Sequence, residues 1–206
     1  AVRFVKHGWS FKWLHREILN SATWQQSIDN PAAHKTDPAN EHLARMSRRR
    51  LDVETWRDAM LHASGQLDLT LGGEPKDLKN KDNFRRTLYS AIHRREPNQF
   101  LRIHDFPDPT AHAPTRPQTI TPLQQLFSLN GPFIQWQAEA FAANLMKVKG
   151  TEARVNAAYE KLFQRAPRKT ELGIAVLFFE DHENDQTVWT QYAHALLAGN
   201  EFQFLD

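Results

Sequence analysis

Apolar residues recur at three- and four-residue spacing along most of the chain, and that period predicts helices. The first runs from Ser10 as N-cap, with Phe11, Leu14, Ile18 and Ala22 on one face. A polar loop from Asp29-Asn30-Pro31 to Asp37-Pro38 follows, then a short helix ending near Met46. Asp52 caps the next helix, whose stripe is Val53, Trp56, Met60, Ala63 and Leu67, and Gly65 falls where it should stop. The pattern resumes at Thr121, with Pro122 at the first helical position and Leu123, Leu126 and Phe127 behind it. Pro132 restarts a helix with Phe133, Trp136, Ala140 and Phe141 inward, and Thr151 caps one carrying Val155, Tyr159, Leu162 and Phe163. Leu172, Val176 and Phe179 form another stripe. The last helix spans Asp185 to Gly199 with Val188, Tyr192, Leu196 and Leu197 on its face and Gly199 as C-cap.

The middle of the chain breaks this period. Leu67-Asp68-Leu69-Thr70-Leu71 alternates apolar and polar residues before Gly72-Gly73, and Leu88, Ser90 and Ile92 form a second extended run. Together they predict a small antiparallel β pair. Asp105 to Pro122 carries Pro107, Pro109, Pro114, Pro117 and Pro122, which excludes regular helix or a central strand because proline lacks a donor and restricts its neighbour. Long ordered loops of this kind are often functional. The expected fold is mainly α: a single-core helical domain over residues 1–206, with a small antiparallel β pair and a long proline-rich loop.

Composition narrows the function classes. The chain is 40% hydrophobic, with 13 Phe and 6 Trp, enough to build a packed core. Lys and Arg number 26 against 24 Asp and Glu, and this near balance makes no case for nucleic acid. The absence of cysteine removes disulfides, thiol catalysis and Cys-ligated metal from these residues. No run approaches the roughly 18 apolar residues of a membrane helix. The chain opens on Ala1-Val2-Arg3-Phe4, which reads as a fragment boundary with any targeting signal upstream.

Two constellations could carry chemistry. His104-Asp105-Phe106-Pro107-Asp108-Pro109-Thr110-Ala111-His112 puts two carboxylates and two imidazoles in a proline-stiffened loop. Paired carboxylates can serve as acid and base. Asp beside proline more commonly accepts backbone N–H bonds and organises turns, and this structural reading is preferred. The second set is Arg48, Arg49, Arg50, Arg85, Arg86 and Arg116, with Arg45 beside the first three. Guanidinium forks bind carboxylate, sulfate or phosphate. Alternatively, they pair with Asp52, Asp58, Asp105 or Asp108 and lock the loop onto the helices. The candidate anion-binding or structural ion network is therefore Arg48, Arg49, Arg50, Arg86, Asp105, Asp108 and Arg116, with no metal ligands among them. The other histidines show no zinc spacing, and no G-x-S-x-G, Walker or G-x-G-x-x-G motif is present.

Several ordered segments match one family. Leu14-His15-Arg16 with Ser21-Ala22-Thr23-Trp24-Gln25-Gln26-Ser27 resembles its opening pattern, and Arg45-Met46-Ser47-Arg48-Arg49-Arg50-Leu51-Asp52 resembles its arginine-rich junction. Asp105-Phe106-Pro107-Asp108-Pro109 and Thr121-Pro122-Leu123-Gln124 through Leu129-Asn130-Gly131-Pro132-Phe133 are similar to its central motifs, and Leu196 to Asp206 to its end. Ser47 replaces a usual proline, Gln125 a usual alanine, and Ala198-Gly199 a usual Asn-Ser. The family is the planctomycete PSD domain, a C-terminal domain of unknown function from planctomycete and verrucomicrobial cytochrome-c-associated proteins. The resemblance implies an exported, periplasmic or cell-surface protein. It implies upstream domains of the same polypeptide as partners, c-type haem in one of them and no cofactor in this chain. It supplies no catalytic residues. The leading reading is a structural or co-catalytic module that packs on an upstream domain, because Glu201-Phe202-Gln203-Phe204 is apolar at alternate positions and should dock onto a surface. The alternative is a hydrolase-type or binding domain for an anionic polysaccharide such as a sulfated one.

Overall fold

A computed structural model describes residues 1–205, so Asp206, the end of the last family motif, lies outside the described residues. About half of the described residues are helical, and among them are eleven α-helices and one two-stranded antiparallel sheet, as a mainly α fold requires. The strands are β1 (Arg49–Arg50) and β2 (Phe204–Leu205). The β pair expected around Leu69 and Leu88 is not a ladder. Asp68 bridges Arg85 and Lys76 bridges Ser90, each singly and in parallel, and Thr87–Tyr89 winds into a 3₁₀ turn. Leu69 and Leu71 face solvent, so the alternation there had no core face to satisfy.

The chain divides into two compact units. The first comprises Ala1–Arg49 and the terminal residues from Phe204. It holds α1 (Val2–Lys6), α2 (Phe11–Leu19) and α3 (Pro31–Thr36). Ser10 caps α2 by accepting from the Trp13 N–H at 3.3 Å. The helix expected to end near Met46 instead occupies the preceding segment, predicted as loop. There Asn30 caps by accepting from the Ala33 N–H, and Pro31 takes the first helical position. Residues 39–46 turn because Arg45 is buried: Nη1 donates to the Asp37 carbonyl at 2.7 Å and Nη2 to that of Pro38 at 2.6 Å.

The second unit, Arg50–Gln203, contains one large apolar cluster. Its helices are α4 (Val53–Ala63), α5 (Gln99–Ile103), α6 (Pro122–Asn130), α7 (Pro132–Leu145), α8 (Thr151–Phe163), α9 (Lys169–Phe178), α10 (Gln186–Ala198) and α11 (Asn200–Gln203). The α4 stripe buries Val53, Trp56, Met60 and Ala63 as expected. On α7 Phe141 is buried as expected, but the rest of the buried face is Ile134, Ala138 and Leu145, with Phe133 packed at its edge. Trp136 lies instead under the Lys81 ammonium, 5.3 Å from the ring centre. Gly150 at φ 87°, and not Thr151, is the N-cap of α8. Trp189 of α10 is fully buried and stacks on Phe179 with ring centres 3.8 Å apart. Phe202 and Gln203 are buried, Phe202 within the apolar cluster of this unit.

Two helices leave apolar rows uncovered. On α6 the buried positions are Gln124 and Ser128, whereas Leu123, Leu126 and Leu129 are each more than half exposed. On α9 only Ala175 is buried, while Ile174 and Leu177 are about 70% exposed. Both rows belong to the second unit.

Candidate functional site

The proline loop is anchored by Asp105. Its backbone is left-handed (φ 62°), a conformation Asp tolerates better than most residues. Oδ2 accepts from the Thr119 N–H at 2.9 Å and Oδ1 from the Thr119 hydroxyl at 2.7 Å, closing the two ends of the loop onto one carboxylate. Gln124 joins them: Nε2 donates to the Ile103 carbonyl at 2.9 Å and to Asp105 Oδ2 at 3.2 Å. Its Oε1 accepts from the Thr121 N–H, completing a capping box at the start of α6. Arg50 donates through Nη1 to the Thr119 carbonyl and to Gln124 Oε1, and stands 3.6 Å from Asp105. One arginine, one acid and one glutamine thus fix both ends of a segment that has no regular structure of its own.

The remaining predicted residues fall elsewhere. Arg116 grips Glu54 with a two-pronged fork at 2.6 and 2.7 Å and lies 3.9 Å from Asp52. Burial, the largest single influence, would raise the Glu54 carboxyl, but the Arg116 fork and a backbone N–H together hold the group below its ordinary value. Arg86 pairs with Asp58 at 3.8 Å. Asp108 is exposed and turns the chain locally, with Oδ1 accepting from the Thr110 hydroxyl and N–H at 2.7 and 2.8 Å. Those bonds hold its carboxyl below the usual range. Arg48 and Arg49 belong to the first unit, where the Arg48 guanidinium lies 4.7 Å from the Phe204 ring centre. The seven candidates therefore divide into separate pairs and turns. Arg50 and Asp105 share a bonded cluster, and Arg116 joins them in lining one small cavity with His104 and Asp52.

Arg57 was not singled out from the sequence, yet it is the most deeply placed charge of the site. Its side chain is 3% exposed. Nη1 donates to the Arg85 carbonyl at 3.0 Å and the Thr87 hydroxyl at 3.1 Å, and Nη2 donates to the Asn83 carbonyl. Neighbouring Asp58 accepts from the Thr87 N–H and hydroxyl at 2.7 and 2.6 Å. Burial pulls the Arg57 guanidinium down to about 10, with Asp58 opposing. His104 is buried against Trp56, Phe100 and Phe127, and burial lowers its affinity for a proton. Its Nδ1 lies 2.8 Å from the Phe100 carbonyl, which fixes that nitrogen as the donor in the neutral ring. Among the described residues, no three His, Cys, Asp or Glu side chains come together to hold a metal ion. No helix there is long and apolar enough to cross a membrane.

A further cluster ties α8, α9 and α11 together. Arg165 forks onto Glu171 at 2.8 and 2.9 Å and onto Glu201 at 2.7 and 2.9 Å. The Arg165 guanidinium holds Glu171 at about 2, below its ordinary 4.5. A depressed carboxyl stabilises the fold above its unfolded value, and that contribution is lost as pH falls from about 4.5 towards 2. Arg165→Gln should lower the urea midpoint at neutral pH and much less near pH 2. A deficit independent of pH, measured by urea titration across this range, would contradict the assignment.

The model of the family described as "PSD1: Protein of unknown function (DUF1553)" matches residues 1–179. The chain belongs to this family of proteins of unknown function. No curated protein and no solved structure matches it.

Proposed function

We propose that this chain is a non-catalytic packing module of an exported, cytochrome-c-associated polypeptide, covering an upstream domain through the exposed rows of α6 and α9. The carrying observation is a division of labour in the second unit. Asp105 and Asp108, the two acids a hydrolase reading needs, bond to donors of their own loop. Leu123, Leu126, Leu129, Ile174 and Leu177 meanwhile present large apolar area to solvent. Exposed apolar rows on a folded unit mark interaction surfaces. The resemblance to haem-bearing, exported architectures supports the choice of partner, an upstream domain of the same polypeptide. Thioether attachment of haem falls to that upstream part, since this chain has no cysteine.

The test compares the full-length polypeptide with this chain alone by hydrogen–deuterium exchange. α6 and α9 should exchange at least tenfold more slowly in the full-length protein, the effect of about 1.4 kcal/mol of added local stability. Leu126→Asp with Leu177→Asp should erase that difference while leaving the melting temperature of the isolated chain unchanged, because both positions are exposed. Equal exchange in the two wild-type proteins would refute the reading. An absorption spectrum of the full-length protein checks the haem directly.

A further inference from the structure

Beside α4 and the 3₁₀ turn, the second unit carries two adjoining clefts of about 280 and 460 Å³. They share Ile92, Leu101 and Phe106 as a common apolar wall. Together they fall in the size range of small-molecule sites, roughly 300–1,000 Å³. Pro97 and Pro107 stiffen the smaller cleft. Ile92 remains 42% exposed at this wall.

Two arginines of the smaller cleft stand apart from those that hold the fold together. Arg50, Arg57, Arg85, Arg86, Arg116, Arg154 and Arg165 all bond to side chains or carbonyls of the fold. Arg94 and Arg102 line the cleft, are exposed, and form no ion pair or hydrogen bond with another described side chain. Two uncommitted guanidinium groups over an apolar floor complement a ligand with an apolar body and an anionic head. Ser90 borders the larger cleft with its hydroxyl buried and unpartnered, a donor that a ligand oxygen would satisfy. A cationic ligand fits less well, since Glu54 and Asp58 on the same wall are already engaged by Arg116, Arg86 and Thr87. Asp108 opposes an anion from the rim, although Oδ1 is held by Thr110.

We propose that this cleft binds a small amphiphilic organic anion, an apolar or aromatic body carrying one carboxylate, sulfate or sulfonate, through Arg94 and Arg102. The site is independent of the α6 and α9 faces and is tested on the 206-residue chain itself. Titration calorimetry with naphthalene sulfonate should show saturable binding about tenfold tighter than its neutral methyl sulfone, and weaker at high salt. Combined Arg94→Gln and Arg102→Gln should bring the sulfonate to the level of the sulfone. Asp108→Asn should tighten the sulfonate only, and Ile92→Asn should weaken both ligands. Thermal unfolding of each variant confirms that it is folded, as exposed positions predict. Equal affinity for the two ligands, or an unchanged ratio in the arginine variant, would overturn the proposal. So would a loss of binding in Leu126→Asp in place of Ile92→Asn.

Discussion

Arg57→Ala is expected to cost about 3–5 kcal/mol of stability, because it removes a buried cation from three directed acceptors and leaves them unsatisfied. The carbonyls of Asn83 and Arg85 and the Thr87 hydroxyl all face the guanidinium, and the Phe133 ring lies 5.2 Å beneath it. No strand ladder supports residues 83–87, so Arg57 supplies the carbonyls of Asn83 and Arg85 with donors a sheet would otherwise provide, while Asp58 takes the Thr87 N–H. For a chain of this size the melting temperature should fall by roughly 10 °C. Arg57→Lys should recover little, since an ammonium cannot match the planar fork that reaches three oxygens. Urea unfolding measures the loss, and exchange at the Arg85 and Thr87 amides locates it. A change below about 1 kcal/mol would show that the 83–87 segment is held by something else.

That dependence on single polar side chains explains which parts of the structure were legible beforehand. Whereas Asp52 marks its helix start without a side-chain cap bond, Ser10, Thr121 and Asp185 as side-chain caps and the Trp56–Met60–Ala63 stripe follow from local capping chemistry and a 3.6-residue period. Both act within a few residues and so leave a trace in sequence. The segment between Leu67 and Ile92 was misread because its period-two pattern answers to no buried face. Its shape is imposed by Arg57 and by Arg85, which reaches the carbonyls of Thr70, Gly72 and Glu74. A polar residue on the core side of an amphipathic helix was the available signal. Arg57 follows Trp56 directly, and Gln124 takes an inward position on α6 that its leucines do not. Asp105, Arg50 and Arg116 were visible as chemistry, but their partners Thr119, Gln124 and Glu54 lie 14 to 74 residues away. No spacing rule reaches across that distance, so anion site and loop anchor were indistinguishable until the contacts were known.

Asp105→Ala should be the second most damaging substitution, at about 2–4 kcal/mol, and it separates the anchoring role from a catalytic one. The carboxylate accepts from Thr119 N–H, Thr119 hydroxyl and Gln124 Nε2, and alanine replaces none of these bonds. It would also place an ordinary side chain at φ 62°, adding backbone strain of order 1 kcal/mol. Asparagine tolerates that conformation, and its oxygen in the Oδ2 place accepts from both the Thr119 N–H and Gln124 Nε2 while its amide donates to the Thr119 hydroxyl, but the negative charge 3.6 Å from Arg50 is lost. Asp105→Asn should therefore lose about half as much. With the anchor gone, residues 106–120 keep the Arg116–Glu54 fork and the Arg50 bond to the Thr119 carbonyl but lose the carboxylate that closes both ends, and they should become the preferred site of limited proteolysis. Thr119→Val provides the companion measurement. Its effect and that of Asp105→Ala should be strongly non-additive, because both remove the same bond. A general acid or base would behave in the opposite way, with Asp105→Asn retaining the wild-type melting temperature and protease resistance while abolishing turnover. Wild-type stability in Asp105→Ala, or additivity with Thr119→Val, would remove the carboxylate from its place as the anchor of the loop.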